Sequence, residues 1–186
     1  MSQTTILPGG QTIGFAGMIA DSYPNPDITS GFNMDTQQIP FGFGLMHQPG
    51  AADERAYVLP TGPTGSVVID GLSVFDMCHS RGGSVDSYGN YSGDMGASGL
   101  LPKAGLQVGR KGRFLVPVES AVVVDDRPFC RIVPTGALSQ GSWGGTGIAG
   151  FMKDCTNQGV FRSATYTAAD GVTKVAILEC NFTAKP

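Results

Sequence analysis

The sequence predicts an all-β protein: a β-sandwich or β-barrel domain with an extended N-terminal arm and a long loop rich in glycine, tyrosine and serine. Three observations predict it. Glycine and proline, 28 and 12 of the 186 residues, punctuate the chain so often that a helix would stop within a turn or two. Short β-branched runs fall between these breaks, as in sandwiches and barrels. The closing segment alternates with the period of two that a half-buried strand requires.

The elements follow in order. Residues 1–50 have aromatics and methionines but little alternation, and the prolines after Tyr23 and Asn25 favour extended chain. They read as an arm or wrapping segment, with residues 51–186 as a single β-rich domain. Within that domain "SVVID" (66–70) and "LSVF" (72–75) read as strands. Residues 80–112, with "GGSVDSYGNYSGDMGASG", read as a loop long enough to need a function or a neighbouring chain to order it. "FLVPV" (114–118), "AVVV" (121–124) and "FCRIV" (129–133) read as strands, with "DDRP" as a four-residue hairpin loop between the last two. "VFRSATYT" (160–167) and "KVAILECNF" (174–182) form a second hairpin around an Asp-Gly turn. On its last strand Ala176, Leu178, Cys180 and Phe182 are the expected core face, and Val175, Ile177, Glu179 and Asn181 the other.

Charge narrows the function. Charged residues are 15% of the chain, below the roughly 25% usual for soluble proteins. A surface this poor in charge points to assembly. The net charge is −3 and the longest basic cluster is Arg110, Lys111 and Arg113, which builds no nucleic-acid-binding stripe. The N-terminus lacks the charged and apolar regions of a signal peptide, and no window is apolar enough to span a membrane. The expectation is a protein made in a cytoplasm that stays there or leaves inside a larger object, with neither nucleic acid nor membrane as partner.

No catalytic, cofactor or metal set emerges. Gly145, Gly147 and Gly150 match GxGxxG, but a loop precedes them where the dinucleotide fold needs a buried strand. The nucleophile-elbow pattern GxSxG is absent. His79 neighbours Cys78, and adjacent strand residues point to opposite faces, so the two form no catalytic pair. Asp86, Asn90 and Asp94 have oxygen donors without the glycine and glutamate of a calcium loop. Cys78, Cys130, Cys155 and Cys180 are too widely spaced for a zinc ribbon and read as buried apolar residues. Asp125 and Asp126 are neighbours that diverge in extended chain or bond local amides in a turn, unlike paired glycosidase carboxylates.

Three regions carry a resemblance: "GFAGMIADS" with "IPFGFGLM", the central "GRFLVPVESAVVVDDRPFCRIVPTG", and the closing "QGVFRSATYTAADGVTKVAILECNF". Together they make the chain similar to the capsid cement, or decoration, proteins of tailed bacteriophages. The resemblance implies a non-enzymatic virion protein on the capsid exterior, assembled in the host cytoplasm. It also implies the major capsid protein as partner, and self-association as a trimer, with a dimer as the alternative. The arm residues Phe15, Met18, Ile19, Ile39, Phe41 and Phe43 are the expected partner contacts. The rival reading is a virion-surface β-module for host carbohydrate or receptor, using Trp143 and the Tyr88/Tyr91 loop to stack on sugars. A hydrolase using Asp125 or Glu119 comes third.

Overall fold

The computed structural model of the chain describes residues 14, 16–20, 25–75, 99–168 and 171–182. Among these there is no helix. The strands are β1 Asp27–Asn33, β2 Ile39–Pro40, β3 Gly44–His47, β4 Ala56–Val58, β5 Gly71–Ser73, β6 Gly99–Leu100 and β7 Gly105–Pro117. Then come β8 Phe129–Arg131, β9 Trp143–Gly144, β10 Met152–Asp154, β11 Gly159–Phe161, β12 Tyr166–Thr167 and β13 Lys174–Asn181.

The thirteen-residue β7 organises the molecule. Along one edge it pairs with β1, and beyond that with residues 17–20. Along the other edge it pairs first with β5 and then with β13. β1 also pairs in parallel with β4, and β4, β3 and β5 follow in order back to β7. Five strands thus close into a ring, which removes the open edges that an unclosed sheet would expose. Leu45, Tyr57, Leu106 and Val108 form one apolar cluster with Ile39, Phe41, Leu59 and Leu100. Gly31 of β1 makes room for it: a Cβ there would lie 2.6 Å from the Tyr57 ring.

β13, β11 and β12 extend the sheet beyond the ring, and β10-β8-β9 form a second, smaller sheet. Between them lies the larger core, with Phe114 and Val116 of β7, Cys130, Trp143 and Phe161. The expected core face of the last strand is in it: Ala176, Leu178, Cys180 and Phe182. On the opposite face Val175 and Ile177 are buried as well, Ile177 because Ala20 covers it and Leu115 with Met18 packed alongside, whereas Glu179 is half-buried and Asn181 exposed. Gly17 and Ala20 donate to the carbonyls of Leu115 and Arg113, so this stretch lies on its own domain like an added strand.

Several sequence expectations are corrected. Residues 121–124 are no strand, and Val123 and Val124 are 61% and 54% exposed. "DDRP" closes no hairpin: β7 pairs with β13, whereas β8 pairs with β9 and β10. Instead the turn docks on β11, where Asp125 N–H donates to Phe161 O and Phe161 N–H to Asp126 O. Asp125 takes a φ of +67° to allow this, a region that Asp tolerates better than most residues. Val67 and Ile69 are buried, yet 66–70 lies outside the named strands. β7 begins inside the segment read as loop, and residues 27–47, on the arm side of the expected boundary at 50, contribute β1, β2 and β3. The β12–β13 hairpin is present, although Asp170 at its tip lies outside the described residues.

Candidate functional site

The central acids are all engaged. Val118 bridges to Trp143, and Glu119 N–H donates to Trp143 O at 2.9 Å, which sets Glu119 beside the small sheet. There Arg131 of β8 meets it: Nε donates to Oε2 at 2.6 Å and Nη2 to Oε1 at 2.7 Å. Ser142 Oγ donates to the same Oε2 at 3.0 Å, and Arg131 Nη1 to Val133 O at 3.2 Å. The two side chains are 1% and 7% exposed. Its hydrogen bonds to Glu119 hold Arg131 above the ordinary arginine value, against the opposing effect of burial. A carboxylate bonded at both oxygens and shut off from solvent has no means of exchanging a proton with a substrate. The pair instead ties the end of β7 to the small sheet.

Asp126 Oδ2 accepts the Val123 N–H at 2.8 Å, the local turn bond expected of it. Asp125 pairs with Arg162 Nη1 at 2.9 Å, and Arg162 Nε reaches Glu179 Oε2 at 3.0 Å. Arg113 Nε approaches the same oxygen at 2.8 Å. Burial pushes the Glu179 carboxyl up, but the two guanidinium groups together hold it below its ordinary value. This exposed ladder, Asp125–Arg162–Glu179–Arg113, has alternating signs and no free acid pair.

The other candidates resolve similarly. Gly145, Gly147 and Gly150 lie in the turn between β9 and β10, with no helix following. Trp143 is fully buried and donates Nε1–H to Gly42 O at 2.9 Å, so it offers no surface to a sugar. Burial pushes the Cys155 thiol up to about 12 and raises those of Cys130 and Cys180 as well, which keeps all three protonated at neutral pH. Among the described residues no three metal-ligating side chains gather. Cys78, His79, Asp86, Tyr88, Asn90, Tyr91 and Asp94 lie outside the described residues.

Of the six expected contact residues, the five that are described do not form one surface. Phe15 lies outside the described residues. Ile39 and Phe41 are in the ring core, with Phe43 packed partly buried against them. Met18 packs beside Ile177 and Leu115, and Ile19, at 40% exposure, faces outward. Further exposed apolar residues flank a buried contact in which Asn33 Nδ2 donates to Leu100 O at 2.8 Å. They are Phe32 and Met34 beside Asn33 in the chain and Leu101 beside Leu100, with Arg55 stacked 5.3 Å above the Phe32 ring. Sequence reasoning missed this group, because exposed apolar residues leave no periodic signature.

The family model described as structural cement protein (E217 gp24/Pam3 gp6) matches residues 3–178. The chain belongs to this phage family. No curated protein matches it. As a cement-family member it has a structural, capsid-associated role in a phage, in line with the resemblance carried by its three sequence regions.

Proposed function

We propose that this cement-family protein binds the outer face of the major capsid shell and clamps adjacent capsomers, acting as a self-associated unit with the trimer favoured. Family membership supports the capsid as partner. The observation that carries the geometry is the set of large apolar side chains left on the surface of a charge-poor chain, Ile19, Phe32, Met34 and Leu101 foremost. Side chains of this kind are hidden best against a second protein. Ile19 stands on a segment hydrogen-bonded to β7, so it would meet a partner from a rigid frame. Many copies acting together make modest affinity per site sufficient.

Co-sedimentation with bare expanded capsids tests this. The wild-type protein should pellet with the shells, and Ile19→Asp or Phe32→Asp should weaken binding while leaving the unfolding midpoint within error. A protein that remains in the supernatant and is monomeric by light scattering would sink the proposal.

A further inference from the structure

One end of the five-stranded ring is open beside the β3–β4 hairpin and encloses a cavity of about 430 Å³. The mouths of barrels are common ligand sites. Strand register explains its lining. Thr29 pairs with Val108, and Arg110 stands two residues further along β7, on the side of the strand that Leu106 and Val108 turn to the ring core. His47 pairs with Tyr57, another member of that core, and its ring lies 4.6 Å from the Tyr57 ring.

Two of the polar side chains here already have partners. His47 Nδ1 lies 3.0 Å from Asp70 Oδ2. Arg55 is held by both oxygens of Asp53, at 3.1 and 3.0 Å. Arg110 is different. Its Nε is buried without an acceptor, and its side chain has no hydrogen bond or ion pair among the described residues. Glu54 also lines the mouth but forms no ion pair with it. A guanidinium cannot shed its proton, and a buried N–H without a partner in a folded protein calls for one. The planar fork of arginine fits a carboxylate with two parallel bonds. The Glu54 and Asp70 carboxylates nearby favour a singly charged guest over phosphate.

We propose that this barrel mouth receives the carboxylate of an acidic side chain projecting from the protein surface on which the chain sits. The source of that side chain rests on the capsid-binding reading above; the carboxylate site itself does not.

Two arms test it. In the first, N-acetyl-glutamate methylamide, the matching glutamine compound and inorganic phosphate are titrated into the whole protein, followed by NMR at Arg110 Nε–H and His47 N–H. A saturable shift with the glutamate compound alone is expected, and Arg110→Lys should weaken it as read at His47. No shift, an equal shift with the glutamine compound or a stronger response to phosphate would overturn the site. In the second, Arg110→Gln should bind bare shells about tenfold more weakly or worse with an unchanged unfolding midpoint. Undiminished binding of a folded Arg110→Gln overturns the assigned source. If the wild-type protein ignores the shells, the capsid reading and that source fall together, and the glutamate arm alone decides the site.

Discussion

Replacing Arg131 by methionine should be among the most damaging single changes in the small sheet. Methionine fills much of the space but carries neither charge nor donor. Glu119 would lose both short bonds from the guanidinium and keep the single bond from Ser142 Oγ. Hydrogen bonds to charged groups contribute about 1.5–3 kcal/mol each, so two amount to about 3–6 kcal/mol. Breaking a buried ion pair from one side independently costs about 3–5 kcal/mol, because the remaining charge stays buried. The two routes agree. For a chain of this size each kcal/mol lowers the melting midpoint by about 2–4 °C, which places the loss at about 6–20 °C. Urea unfolding with an unchanged m-value is the assay. The double variant Glu119→Leu/Arg131→Met removes both charges and should recover most of the loss, since well-packed apolar replacements of buried pairs are often neutral or better. A single variant costing under about 1 kcal/mol, or a double variant as unstable as the single, would refute the claim that this pair is buried and mutually dependent.

Three further outcomes are expected. Trp143, the one tryptophan in the chain, should emit in the blue and resist acrylamide quenching; Trp143→Phe should cost about 1–3 kcal/mol in urea unfolding by stranding Gly42 O. Gly99→Ala should destabilise by about 1–3 kcal/mol or more, because Gly99 of β6 pairs antiparallel with Pro40 of β2 and the added Cβ would meet backbone atoms of Ile39 and lie 2.8 Å from Pro40 Cα; an unchanged urea midpoint would contradict that pairing. Glu179 has a lowered folded-state value, so its contribution is complete above the ordinary glutamate range and is lost as pH falls through that lowered value. Glu179→Gln should therefore be less stable than wild type at neutral pH and converge with it in acid, and parallel pH curves would contradict the ladder.

The legible parts of the fold were those in which one strand carries its own signal. β13 alternates cleanly, and both its core face and its hairpin with β12 could be read directly. The burial of Ile177 on its second face could not, because Ala20 comes from far away in sequence and its segment shows no alternation. β1 was hidden for a related reason: in "DITSGFN" only Gly31 and Asn33 are buried, and its place depends on pairing with both β4 and β7. "AVVV" misled in the opposite direction. β-branched residues favour extended chain, but a strand needs a partner, and Val123 and Val124 have solvent instead. At the site level, the local turn bond at Asp126 was legible from the adjacency of the two acids. The Glu119–Arg131 pair was not, because the assumed hairpin placed the wrong strands side by side. The barrel mouth was equally invisible, since His47, Tyr57 and Arg110 meet only once the ring has closed.

Electron cryo-microscopy of bare expanded capsids incubated with the protein tests the central claim most directly. Added density is expected on the outer face of the shell, spanning the joints between capsomers. In that density residues 18–19 and the Phe32–Met34 edge should face the capsid. Shells without added density, or density confined to the inner face or to the middle of single capsomers, would contradict it.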